Sequence, residues 1–182
     1  SMLAGDGSSI WEGVSGEDVL AVTMQDAAEV DDVVVEISGE RAGTTFISAK
    51  HRAGVIALTA KSVVFTDVAD SFVRQFFQTT EDARSGCRLV WAVPSTAGRK
   101  VTQDLRGVLI ALRDDDFASL PEFLKRRQPK EREAMEALRE QAKRSWTQVF
   151  KKAPTDAELC EFLRLVHVEV FDFGDGGQSE HS

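Results

Sequence analysis

The sequence predicts an α/β chain: a mixed central β-sheet flanked by helices, with a helical block toward the C-terminus. Three observations predict it. Val33–Ile37 and Thr44–Ala49 are runs rich in β-branched residues, joined by a turn region carrying Gly39 and Gly43. Arg88–Pro94 (RLVWAVP) is a nearly continuous apolar run of strand length, which suits a strand covered on both faces. Around these runs stand longer segments whose apolar residues recur at i, i+4, the spacing of a helix with one buried face. Strands and helices mixed along one chain, with no internal repeat, fold as a sheet flanked by helices.

At 182 residues and 42% hydrophobic content the chain is large enough to bury one core without disulfides or metal staples. Ser1 before Met2 reads as a cloning remnant, and LAGDGSS after it is small and polar, so 1–16 is expected to be a flexible N-terminus. One domain is expected over 17–173. The glycine-rich end, 174–182, reads as a flexible tail leading to a removed domain. No apolar run approaches a membrane span (VLIAL at 108–112 is far too short) and no leader pattern is present, so a cytoplasmic chain with no membrane contact is expected. Cys87 and Cys160 sit in apolar surroundings without a second ligand nearby, which reads as two buried reduced thiols, with a disulfide as the alternative, rather than zinc. A net charge of −8 argues against a protein that coats nucleic acid passively. It leaves room for local basic patches, and Lys50–Arg52 and 125–132 are two.

Taken in order, Asp18–Met24 alternates weakly and predicts the first strand, with a short helix as the alternative. The hairpin follows, entered through Asp31 and Asp32 and left through Lys50, His51 and Arg52. GVIALT at 54–59 is a strand extension or a loop. From Lys61 or Ser62 to about Gln78 the stripe Val64, Val68, Phe72, Phe76, with Ala69 and Val73 beside it, predicts a helix. Phe76 and Phe77 read as core. A polar connection, Thr79–Gly86, leads into the 88–94 strand. Thr102 is placed to cap a helix running to about Arg113 and buried along Leu105, Val108, Leu109 and Leu112. Three aspartates at 114–116 end it as a solvated loop. A short helix is expected over Leu120–Arg127, then a long charged one over Lys130–Phe150 with Met135, Leu138, Ala142, Trp146 and Val149 buried. Thr155-x-x-Glu158 after Pro154 is a capping-box pattern that starts one more helix, to about Leu165. His167–Phe173 (HVEVFDF) closes the chain as a strand.

Phosphate-binding glycine loops, a GxSxG elbow and an HExxH helix are all absent. The chemistry therefore concentrates on the hairpin. Residues on adjacent strands face each other, so an acid pair entering one strand and a lysine leaving its neighbour can meet. Asp32, Val34 and Glu36 share one face of their strand, and Phe46, Ser48 and Lys50 share one face of theirs. If those faces match, Asp32, Ser48 and Lys50 converge, with Asp31 on the opposite face unless strand entry exchanges the two. Carboxylates hold Mg²⁺, which takes oxygen ligands, and a lysine beside them serves the attacking water and the scissile phosphate. His51 and Arg52 stand ready to touch a phosphate backbone. The same residues also make an ordinary strand start and an ordinary guarded strand end.

The order DDVVVE…FISAKHR, DSFVRQFFQ, RLVWAVPS and TQDLRGVLIAL resembles one branch of the PD-(D/E)xK nuclease superfamily, from about Asp18 to Phe173. That branch comprises the N-terminal nuclease domains of bacterial anti-phage defence proteins, often joined to a STAND-type NTPase or another sensor. Asp31/Asp32 match its aspartate, Lys50 its lysine, and Phe72–Phe76 the helix that follows. The resemblance implies a restriction-endonuclease-like core and Mg²⁺- (or Mn²⁺-) dependent cleavage of double-stranded DNA. It also implies homo-oligomerisation through the sensor region as the switch. The chain departs from the pattern at Ser48, where the family has Gln or Glu two positions before the lysine; a hydroxyl is a poor substitute for a metal-binding carboxylate. Asp67 or Asp70 on the next helix could supply that acid, although surface or capping roles suit them better, and Glu36 is too near the turn. The departure leaves an alternative of another class: a catalytically inactive fold of the same type, serving in partner binding or oligomerisation.

Overall fold

The structure is a computed structural model that describes residues 9–11, 14–15, 18–24, 33–39, 42–49 and 54–171. Two short strands, β1 (Ser9–Trp11) and β2 (Val14–Ser15), pair antiparallel near the start. They fall within the stretch expected to be flexible, the rest of which lies outside the described residues.

The main sheet has five strands in chain order: β3 (Val19–Thr23), β4 (Val33–Ile37), β5 (Gly43–Ala49), β6 (Arg88–Pro94) and β7 (Val166–Phe171). β3, β4 and β5 form an antiparallel meander, whereas β5, β6 and β7 run parallel. The two parallel steps need crossovers, and the helices supply them. The first crossover carries α1 (Val63–Gln78) and the short α2 (Glu81–Arg84). The second carries α3 (Arg106–Asp114), α4 (Leu120–Lys125), α5 (Pro129–Phe150) and α6 (Asp156–Leu165). The fold is α/β with a mixed sheet flanked by helices, as the sequence predicts.

The periodicities explain the packing. On α1, Val68, Phe72 and Phe76 are buried as expected, together with Phe65, Ala69, Val73 and Gln75; Val64 is only half-buried. Ser62 caps the helix by accepting from Phe65 N–H. Phe76 meets Phe77, Trp146 and Phe162 at ring separations of 5.5, 5.5 and 5.7 Å, which ties α1 to α5 and α6. These helices and the sheet residues Leu89, Trp91, Val93, Val166 and Val168 form the main core. A second, smaller cluster on the opposite sheet face, centred on Val35, Ile37, Ile47, Val90 and Ala92, is drawn entirely from strands.

Several expectations need correction. The helix predicted to start at Thr102 begins two residues earlier, as a π-helical stretch over Lys100–Leu105 that runs straight into α3. Thr102 is not its cap; its hydroxyl donates to Gly98 O at 3.1 Å. Val101, Leu105 and Leu109, spaced by four, are buried together along this stretch. Val149 is 37% exposed because the last turn of α5 overhangs the core, with 147–150 exposed throughout. Residues 54–59 form no strand; they are a loop in which Ile56 and Leu58 turn inward. Both cysteines are free, Cys87 buried and Cys160 half-buried. The capping box at Thr155 and Glu158 is present as predicted. β7 starts one residue earlier than expected, and 172–173 lie outside the described residues.

Candidate functional site

Because β4 and β5 are antiparallel, the start of β4 and the end of β5 lie at the same end of the sheet, with Val33 opposite Ile47. Because β5, β6 and β7 are parallel, their C-terminal ends gather there too: Ala49 pairs with Ala92, and Ala92 with Glu169. In open α/β sheets the crevice outside the carboxyl ends of the parallel strands is the usual place for a ligand. Two connecting segments frame this end. The turn Ser95–Ala97 follows β6, and the loop after β5 returns to it, with Ile56 N–H donating to Ala97 O at 2.9 Å. Gly98, at φ 94°, lets Val55 lie against the backbone; a Cβ there would stand 2.8 Å from Val55 Cγ1. The N-terminus of α1 begins a few residues on, at Val63.

Of the predicted site residues, Asp31, Asp32, Lys50, His51 and Arg52 lie outside the described residues. Ser48 is described. It pairs with Trp91, shares its strand face with Phe46, and is 1% exposed, beneath the helical layer. The facing relation on which the site depends can be read in the described ladder: Val34 pairs with Phe46 and Glu36 with Thr44. The strand faces expected to carry Asp32 and Lys50 are thus one and the same face of the sheet where both strands are described.

The carboxylates considered as substitutes on α1 have other roles. Asp67 is exposed, and Asp70 accepts a hydrogen bond from Ser145 Oγ of α5, so it serves the α1–α5 contact. Glu36 is exposed and pairs near the turn. A carboxylate that the sequence reading passed over is Glu169, 9% exposed on β7 in the row of Ala49 and Ala92. It stands 3.5 Å from Arg106 Nη2, and the same guanidinium donates through Nε to Val168 O at 3.2 Å. A glutamate inside the predicted strand His167–Phe173 was the available signal. Its paired, buried setting reads as structural.

The reading passed over Arg99 and Lys100, and took Lys130 only as part of the basic stretch 125–132. With Asp104 and Glu133 they line a shallow depression of about 280 Å³ just beyond the end of β6. Lys100 Nζ lies 2.6 Å from Glu133 Oε1, and that ammonium holds the carboxyl below its ordinary range. A larger hollow, about 470 Å³, lies between Phe117–Leu120 and α6, with Cys160 and Arg164 in its wall; no strand contributes to it. Among the described residues no group of three His, Cys, Asp or Glu side chains is arranged to hold a metal ion.

Compared with protein-family models, with curated proteins and with solved structures, the chain matches none.

Proposed function

We propose that the chain is a Mg²⁺-dependent endonuclease domain acting on double-stranded DNA, the effector part of a prokaryotic anti-phage defence protein with a PD-(D/E)xK-type core. The observation that carries this reading is the β4–β5 register. Asp32 is bonded directly to Val33 and Lys50 directly to Ala49, and the ladder brings Val33 and Ala49 to one end of the sheet, beside the C-terminal ends of β6 and β7. The resemblance of the sequence to that nuclease branch, and the meander–helix–parallel-strand order, support the same reading.

In this reading Asp31 and Asp32 are the oxygen donors for Mg²⁺ or Mn²⁺. The metal, when bound, supplies Lewis-acid polarisation of the scissile phosphate. Lys50 orients the attacking water and offsets the negative charge that grows on the phosphate. His51 and Arg52 hold the DNA backbone through its phosphates, contacts that position without reading sequence. The overall acidity of the chain confines DNA contact to this basic segment, with Arg99 and Lys130 as further cations near the same end. A sensor or NTPase region in the longer protein, and oligomerisation through it, would supply the switch.

One observation favours a second reading, a catalytically silent fold used for partner binding. Ser48 stands where the resemblance expects a Gln or Glu, and at 1% exposure it is no open metal ligand. The two readings separate in one experiment: cleavage of supercoiled plasmid with Mg²⁺ or Mn²⁺ by the chain, free and fused to an oligomer-forming tag, beside Asp32→Ala and Lys50→Ala. Cleavage abolished by both substitutions establishes the nuclease. No cleavage in either format, or cleavage indifferent to both changes, leaves the binding module.

A further inference from the structure

The shallow depression beyond the end of β6 is built from two elements that meet only on folding. Arg99 and Lys100 stand at the start of the π-helical stretch after β6, and Lys130 stands in the first turn of α5. Lys100 and Glu133 neutralise each other. Arg99, Lys130 and Asp104 form no ion pair among the described residues, so the depression keeps a surplus of one positive charge. In a chain of net charge −8 that surplus is local, and both of its cations are exposed.

Two helices add to it. Phe65 and Val68 of α1 share a cavity wall with Leu138 of α5, Ser145 donates to Asp70, and Trp146 meets Phe76. The helices therefore run side by side in one direction and begin at the same end of the sheet, so the positive ends of both dipoles lie there. A helix start is stabilised by negative charge, and a lysine in its first turn opposes the dipole. Lys130 is thus out of place for stability alone and in place for an anion.

We infer that the depression is a second phosphate-binding site, which takes backbone phosphates of duplex DNA beside the scissile one, with Arg99 and Lys130 as its contacts. The identity of the ligand rests on the nuclease reading, and the site adds a direction to it: the duplex lies across the carboxyl ends of β5 and β6 toward the start of α5. Shallowness favours a polymer. A small anion makes few contacts in so open a site, whereas a phosphate on a strand already held elsewhere loses little further freedom on entering. Contacts of this kind position the duplex and read no sequence.

The test is binding of a labelled duplex by fluorescence anisotropy without divalent metal, so that nothing is cleaved, over about 50 to 200 mM salt. The chain is compared with Arg99→Gln/Lys130→Gln and with Arg144→Gln, an exposed arginine about 21 Å further along α5 than Lys130. All three side chains are exposed, so the fold is kept, which circular dichroism checks. In the double variant affinity falls about tenfold at 100 mM salt, equally on unrelated sequences, and the slope of log K against log salt shrinks by about 2. Arg144→Gln binds as the parent does. An unchanged slope and affinity in the double variant, an equal loss in Arg144→Gln, or a chain that binds no duplex overturns the proposal. Calorimetric binding of inorganic phosphate that is lost in the double variant, with duplex affinity unchanged, also overturns it and assigns the depression to a free phosphate. The nuclease reading is judged apart. Plasmid cleavage abolished by Asp32→Ala sustains it whatever Arg99 and Lys130 do, and duplex binding lost in the double variant stands without cleavage.

Discussion

Gly43→Ala is the substitution whose cost is most directly fixed by the geometry of the sheet. Gly43 opens β5 at φ 155°, and a Cβ built on it would lie 1.9 Å from Gly86 O and 2.6 Å from Gly86 Cα. Gly86 is equally confined from the other side, its own Cβ falling 2.5 Å from Ala42 O. The two backbones touch because Thr44 N–H donates to Gly86 O at 3.1 Å, just before β5 and β6 begin to pair. An alanine at 43 has only backbone to displace. Forcing the strands apart costs about 2 kcal/mol as overpacking, and the strained or lost Thr44–Gly86 hydrogen bond adds about 1 kcal/mol. The expected destabilisation is about 3 kcal/mol, or roughly 6–12 °C in Tm for a chain of this size. Gly86→Ala, which has no positive φ to strain, should cost about 2 kcal/mol through overpacking alone. Gly54→Ala isolates the opposite case: φ is 114° and nothing lies within 4 Å, so conformational strain of about 1 kcal/mol remains. Urea and thermal denaturation of the three variants measure the order. A Gly43→Ala loss under about 1 kcal/mol, or one no larger than that of Gly54→Ala, would refute the close crossing of the two strands.

Phe76→Ala empties the junction of α1, α5 and α6, where Arg84 also stacks at 4.0 Å from the ring. The expected loss is about 3–5 kcal/mol by urea denaturation; less than about 2 kcal/mol would mean that the junction collapses onto the cavity. The two thiols should differ in a disulfide-exchange titration. Burial raises the pKa of both, but Cys87 is 3% exposed whereas Cys160 borders an open hollow, so one equivalent reacts in the native chain and the second only after denaturant. Two equivalents reacting together would contradict this. The raised Cys87 value also has a sign in stability. Above the ordinary thiol range the unfolded chain releases a proton that the folded chain keeps, so stability falls as pH rises there, and Cys87→Ser should flatten that fall.

Where neighbours in sequence decided the structure, the sequence was legible. Val68, Phe72 and Phe76 announced α1 because a helix repeats its buried face within a few residues, and Thr155 with Glu158 announced α6 because a capping box is complete within one turn. The continuous apolar run of β6 declared its burial on both faces, and all five interior residues from Leu89 to Val93 are buried. Legibility failed where a distant partner decided. Thr102 looked like a cap by its type, yet the helix starts at Lys100 because Val101 and Leu105 are drawn into a core that local pattern does not reveal. Val149 has the right period for burial, but α5 outruns what it packs on. Glu169 gave no local sign of its partner: it is buried beside Arg106, which opens α3 far earlier in the chain. For the candidate site, alternation anticipated the Val34–Phe46 facing correctly. Asp31, Asp32, Lys50, His51 and Arg52 fall beyond the described strand ends, so their convergence is a matter for the cleavage assay.

The mixed sheet also imposes an order in time. The β3–β4–β5 meander joins strands that are near neighbours in the chain, so it can assemble as soon as they emerge from the ribosome. β6 has one neighbour from that group, but its other neighbour, β7, is made only after the whole helical block. Until Val166–Phe171 arrives, β6 is an unprotected edge rich in Leu, Val and Trp, and Val166 and Val168 are missing from the main core. A nascent chain paused within α5 or α6 would therefore expose a strand prone to pairing with the wrong partner. Synthesis of the last strand is then the step that closes the domain.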